Sequence, residues 1–344
     1  METITNLQII GNRIVSYGEQ IESVERTLSD EHQKKLRESK KFTGQLSSHS
    51  KRKIKKLLKI WHESIAIHNN YQKRTGGREY RRLTFITLTL SAKQVHSDND
   101  IKKKVLNRFF DELKKRNLTT HYFWRAEKQK NGNIHFHCFA DKFIEKETIT
   151  ETWNRAQNLL GYVDAFEKKH NHRNPPSTQV QAVPDDGRAF DYVLKYESKE
   201  EENQPVEGRL WSCDYDLSNL KPFTIIPDNI TWKFYNYVKS TENAYIYEGD
   251  YFTYIDNQKA PEILKQFPEL WQEYEKHYIN QYNYIYHPGL HKKENRTRPK
   301  NHPVLDNKKP KKPPTTNGMD NSDLADQSSL EIFEEIRSIP MFND

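Results

Sequence analysis

Cysteine is scarce in this chain: Cys138 and Cys213 are the only two in 344 residues. Two thiols exclude a disulfide framework and a four-thiolate zinc site, and a reducing compartment is the expectation. Long apolar runs are missing as well. None approaches the roughly 20 residues that a membrane helix needs, and Met1-Glu2-Thr3-Ile4 lacks the basic-then-apolar start of a signal peptide. Nor is there a Gly-x-x-x-x-Gly-Lys-Ser/Thr loop, so no fused ATPase is expected. Hydrophobic residues reach only 34% against 30% charged, too few to bury the whole chain. These absences predict a cytoplasmic protein with no membrane partner, folded over part of its length.

Positive charge and aromatic rings are plentiful. The formal net charge is +7, and 12% of residues are aromatic, with Tyr 19 and Trp 6. Excess cations suit a polyanion, and interleaved rings suit unpaired bases that stack, so single-stranded nucleic acid is the expected partner class.

Four regions follow from the pattern. Residues 1–80 read as a basic helical extension, with Ile54, Leu57, Leu58, Trp61 and Ile65 at helical spacing and Ser47 or Ser50 as cap. Residues 81–225 alternate: a strand at 83–90, a helix at 101–116 and strands near 120–128 and 134–140. A helix near 147–160 carrying Trp153, Leu159 and Leu160, a strand at 179–183 and a helix at 188–198 complete the series. That order predicts an α+β fold, a central antiparallel sheet backed by helices. Residues 226–287 form an aromatic-rich accessory region whose rings either contact DNA or pack a second core. Residues 288–344, rich in Pro and Lys and then acidic, read as a disordered tail.

The segment Ile134-His135-Phe136-His137-Cys138-Phe139 carries the strongest chemical signal. On a strand, His135 and His137 face one way and Phe136 the other, so two imidazoles can share one cation. Alone, the pattern also fits ordinary strand residues. Glu127 supplies a third ligand only if the hairpin register allows it. A two-residue turn at Asn131-Gly132 pairs Lys128 with His135 and sends Glu127 to the wrong face. A three-residue loop, Lys130-Asn131-Gly132 with Gly132 left-handed, pairs Glu127 with His135. Mixed His/Glu ligation with open positions suits Mn²⁺ or Mg²⁺ at a phosphate and also accepts Zn²⁺.

A second signal is Asp191-Tyr192-Val193-Leu194-Lys195-Tyr196-Glu197-Ser198-Lys199. On a helix, Phe190, Val193 and Leu194 form the apolar face, while Tyr192, Lys195, Tyr196 and Lys199 gather opposite. A phenol with a pKa of about 10 needs a nearby cation to act as a nucleophile. Tyrosines on an ordinary amphipathic helix are the plain alternative.

In this order the motifs resemble the HUH superfamily of rolling-circle replication initiators. Phe85-Ile86-Thr87-Leu88-Thr89 resembles its first motif, Glu127 with His135 and His137 its metal motif, and Tyr192-Val193-Leu194-Lys195-Tyr196 its tyrosine motif. The two-tyrosine form is similar to that of microvirus and Bacteroidetes plasmid initiators. The likeness covers about 83–200 and extends to Arg209-Leu210-Trp211-Ser212 and Gly44-Gln45-Leu46-Ser47. The resemblance implies an HUH endonuclease with a ferredoxin-like palm, acting on single-stranded DNA at a replication origin. It implies that Tyr192 attacks the DNA phosphate, that Tyr196 serves the second strand transfer and that Lys195 positions the phosphate. Thr87, Thr89 and Lys199 would contact DNA, and a divalent Mn²⁺ or Mg²⁺ would be the cofactor. A host helicase and replication proteins would be the partners, since no fused ATPase is expected.

Other readings share some of these residues. A two-tyrosine transposase uses the same chemistry but is longer and has zinc-binding cysteines. A plasmid mobilisation relaxase has a histidine triad and an N-terminal tyrosine. A non-catalytic single-strand-binding protein would show neither metal dependence nor a covalent adduct. A hydrolase that uses water would cut without trapping tyrosine.

Overall fold

In the computed structural model, the described residues are 4–18, 44–183, 205–249 and 252–291. Two five-stranded sheets, both wholly antiparallel, organise them.

The chain opens with a hairpin, β1 (Ile4–Ile10) and β2 (Arg13–Gly18). Its turn is Gly11-Asn12, with Gly11 left-handed at φ 56°. This corrects the all-helical expectation for residues 1–80. Leu7, Ile9 and Ile14 alternate toward a core, the strand period, around a Gly-Asn hairpin signal. Helix α1 (Ser48–Thr75) follows, capped by the Ser47 hydroxyl and closed by left-handed Gly76 at φ 73°. Ile54, Leu57, Leu58, Trp61 and Ile65 are buried along one face, as their spacing predicts.

The second sheet begins with β3 (Thr84–Thr89). Helix α2 spans 98–115 as an α turn, a π-helical segment Ile101–Leu106 and an α segment Asn107–Lys115. Strands β4 (Tyr122–Lys128) and β5 (Ile134–Ala140), helix α3 (Lys146–Gln157) and helix α4 (Tyr162–His170) follow. Then come β6 (Thr178–Ala182) and β7 (Trp211–Cys213). The strand order is β6-β3-β5-β4-β7, so β5 enters between β3 and β4, which α2 connects. The α+β expectation, an antiparallel sheet backed by helices, holds. Helix α3 ends sooner than its apolar pattern suggests: Trp153 is buried, but Leu159 lies exposed on a following 3₁₀ turn.

Residues after β7 complete the first sheet. Strand β8 (Phe223–Ile225), helix α5 (Asn229–Ser240), β9 (Tyr245–Glu248) and β10 (Phe252–Asp256) precede helices α6 (Ala260–Lys265) and α7 (Pro268–Tyr286). The order β8-β1-β2-β10-β9 joins the two ends of the chain. The boundaries expected at 80/81 and 225/226 therefore do not separate units, since β1 pairs with β8 across more than two hundred residues. The aromatics of this region serve a core. Tyr274, Tyr278 and Tyr282 are buried at four-residue spacing along α7, and the Trp61 indole donates to the Tyr286 hydroxyl at 2.9 Å. Residues 292–344, expected as a tail, lie outside the described residues.

Each face of the second sheet has its own packing. Ile86, Leu88, Trp124, Ala126, Phe136 and Cys138 meet α2 and α3, where Phe109, Phe110 and Trp153 fill the layer. Phe85, Phe123 and Phe139 point oppositely and share a core with α1 and α7. That second face also carries the polar residues of the candidate site.

Candidate metal centre

Antiparallel register sets the site, because residues directly opposite share a face. Three rows cross the sheet on the α1 side. The first holds Gln181, Phe85, Phe139, Phe123 and Cys213; the second holds Gln179, Thr87, His137, Arg125 and Trp211; the third holds Thr89, His135 and Glu127. The apolar row is the floor and the two polar rows the working surface.

The hairpin takes the longer of the two loops considered from sequence. Glu127 pairs with His135 and Lys128 with Ile134. Gln129 donates to the Asn133 carbonyl at 2.9 Å, which leaves Lys130-Asn131-Gly132 as the loop, with Gly132 at φ 82°. Glu127 thereby reaches the histidine face.

Glu127, His135 and His137 each bring one donor atom into a group spanning no more than 4.8 Å. His137 Nε2 lies 2.8 Å from Glu127 Oε1, and the two imidazole centroids are 4.6 Å apart. The Phe85 ring stacks on His137 at 5.6 Å. Arg125 Nη2 stands 3.6 Å from Glu127 Oε2.

Burial, followed by the neighbouring His137, pushes His135 down to about 4 against the pull of Glu127. Its imidazole is therefore neutral at physiological pH, the form that ligates a cation. Burial works against ionisation of Glu127. The His137 hydrogen bond and the charges of His137, Arg125 and His135 outweigh it and hold the carboxyl below its usual range. His135 Nδ1 and Glu127 Oε2 are both buried without a hydrogen-bond partner. Buried polar atoms of this kind normally have partners, and a cation held by one carboxylate and two imidazoles would satisfy these. The donor set fits a divalent metal.

Other expected site residues fall in three places. Thr87 sits beside His137 in register. Thr89 sits beside His135, with its hydroxyl donating to the Ser177 carbonyl at 3.1 Å. Tyr192, Lys195, Tyr196 and Lys199 lie outside the described residues. The described chain on either side of them is tied to this sheet. Val183 N–H donates to the Leu83 carbonyl at 2.9 Å, and Ala126 N–H donates to the Leu210 carbonyl at 2.7 Å.

Sequence reasoning misses Arg125, two residues before Glu127 and on the same face. The alternation that selects the histidines also selects it. The clamp behind the hairpin is missed too. Asp98 accepts from Lys128 Nζ at 2.7 Å, Gln94 Nε2 at 2.6 Å and Glu207 N–H at 2.9 Å. Lys102, buried on the π-helical turn, donates to the carbonyls of Glu207 and Arg209. Together they fasten residues 207–210 beside the metal hairpin.

No helix among the described residues is long and apolar enough to cross a membrane. Residues 83–201 match the family model of ORF2-type replication-associated proteins. No curated protein and no solved structure matches the chain.

Proposed function

Residues 83–201 are a replication-associated protein segment of the ORF2 type, and from that premise we propose that the chain nicks and rejoins single-stranded DNA at a replication origin. The observation that carries this reading is the Glu127–His135–His137 group, with two of its buried donor atoms unsatisfied.

In the proposed reaction the Tyr192 oxygen attacks the scissile phosphorus, and the bond from phosphorus to the 3′ oxygen breaks. The 3′ oxygen takes up a proton and becomes a free primer hydroxyl, while the 5′ phosphate remains on tyrosine. Tyr196 repeats the attack when a round ends, and a 3′-hydroxyl releases the DNA by the reverse transfer. A divalent cation, Mn²⁺ or Mg²⁺, when bound by the triad, supplies Lewis-acid polarisation of the phosphate. His135 and His137 present neutral nitrogens, and Glu127 sets the orientation of His137. Lys195 steadies the phosphate, and Thr87, Thr89 and Lys199 contact the strand. Duplex opening belongs to a host helicase, since a paired strand holds its phosphate away from the tyrosines.

The test is a covalent-adduct gel with labelled single-stranded oligonucleotides from the chain's own genetic element, in Mn²⁺ or EDTA. Wild type, Tyr192→Phe, Tyr196→Phe and the double variant are compared. A metal-dependent adduct lost in the double variant supports the reading. Cleavage without an adduct points to a hydrolase that uses water, and binding without cleavage points to a non-catalytic binding protein.

A further inference from the structure

The first half of α1 carries Lys51, Arg52, Lys53, Lys55, Lys56 and Lys59, and no acidic residue occupies its first turn. Carboxylates are the stabilising choice at that positive end of a helix, so cations there work against the helix. Lys53 and Lys56 are exposed, as is Lys221 just before β8. None of these three forms an ion pair with a described carboxylate, whereas Lys104, Lys114, Lys128 and Lys239 each do. Lys56 Nζ donates only to the neutral Gln8 side chain, at 3.1 Å. Burial and the nearby Lys221 together lower the Lys56 pKa, so two like charges are held close together. A surface that gathers cations without counter-charges is organised for an external anion.

Its position says which anion. Lys53 is close enough to Cys213 for its charge to act on that thiol. Cys213 and Trp211 lie on the site face of β7, opposite Phe123 and Arg125. From Lys221 through Lys56 and Lys53 the charge thus leads along β7 to Trp211, next to Arg125 and the metal ligands. The half-buried Trp211 indole offers a ring on which a base can stack. Tyr215, 78% exposed, stands beside the same stretch of chain.

We propose that Lys53, Lys56 and Lys221 form a phosphate track that guides single-stranded DNA along the β7 edge to the metal centre. This rests on the DNA-nicking reading for the identity of the polymer. It gives the first sheet a role, since Lys221 adjoins β8 and Gln8 lies on β1.

Salt-dependent binding is the test, read by fluorescence anisotropy of a long labelled single-stranded oligonucleotide. The variants are K53Q/K56Q/K221Q, the charge-preserving K53R/K56R/K221R, and a control of equal charge loss at exposed positions elsewhere, K146Q/K168Q/K169Q. Equal thermal melting shows that all are folded. The track variant should lower the slope of log Kd against log salt by about 2, three contacts at about 0.7 each on a single strand. The arginine variant and the control should keep the wild-type slope. An unchanged slope in the track variant, an equal fall in the control, or no single-strand binding by the wild type overturns the proposal. Adduct formation is measured in parallel. A lowered slope without any adduct upholds the track and removes the nuclease reading, whereas an adduct with an unchanged slope does the opposite.

Discussion

His137 Nε2 meets Glu127 Oε1 at 2.8 Å across two neighbouring strands, a contact that exists only because Glu127 is registered opposite His135. A hairpin one residue shorter would turn Glu127 to the other face and leave two imidazoles without a carboxylate. Metal affinity and hairpin geometry are therefore one property.

Removing a donor should show this directly. Glu127→Ala, His135→Ala and His137→Ala should each weaken Mn²⁺ binding, measured by titration calorimetry. The loss should be at least the roughly 10–100-fold that follows removal of a supporting group around a metal. Glu127→Gln should keep the fold and lose most of the affinity. Wild-type affinity in all these variants would dismiss the triad as a metal site.

The loop makes a second prediction. Gly132 has φ 82°, a conformation costing a residue with a Cβ about 1–2 kcal/mol. Gly132→Ala should lower stability in urea by about that amount and weaken Mn²⁺ binding, although Gly132 donates no ligand. Gly132→Asn, better tolerated in that region, should do less of both.

How far the sequence reveals this varies along the chain. The order of elements from 83 to 182 is legible because alternation and helical spacing are local signals, and the register of the metal hairpin follows from the length of one loop. The first sheet is not legible as a sheet. Leu7 pairs with Ile225, and no periodicity encodes a pairing between segments so distant. The hairpin at 4–18 is locally visible in its Gly11-Asn12 turn but is overshadowed by the basic helix after it. Tyr274, Tyr278 and Tyr282 resemble a recognition surface until α1 is seen to cover them. Arg125 escapes notice because basic residues are common throughout this chain, and only its register beside His137 distinguishes it.

The clamp behind the hairpin yields a third prediction. Asp98 and Lys128 are both largely buried, with side chains 5% and 11% exposed. Asp98→Ala leaves Lys128 without its carboxylate and Glu207 N–H without its acceptor. Breaking such a pair should cost about 3 kcal/mol in urea denaturation. Amide hydrogen exchange should quicken at residues 206–210 before it does so in β1 and β2. Uniform quickening would mean that the clamp serves the whole fold.

Acid should reveal His68. This residue is buried on α1, its ring stacked on Tyr282 at a centroid distance of 3.5 Å. Burial, partly offset by Glu79 and reinforced by His287 and Arg81, brings its pKa to about 4 from an ordinary 6.5. As pH falls below 6.5 the unfolded chain takes up a proton that the folded chain refuses until about 4. Stability is therefore lost across that window as pH falls, and regained as pH rises. His68→Gln, which cannot titrate, should flatten the fall of Tm between those limits. A parallel pH profile in the variant would remove His68 from the acid response.

The most direct test of the central claim is peptide mapping by mass spectrometry of the protein after incubation with origin-containing single-stranded DNA and Mn²⁺. The tyrosine-nuclease reading predicts a nucleotide attached through phosphate to the peptide containing Tyr192 or Tyr196. The attachment should be absent with EDTA and absent from His135→Ala. Cut DNA with no modified peptide, or a modification that persists without metal and without His135, would contradict it.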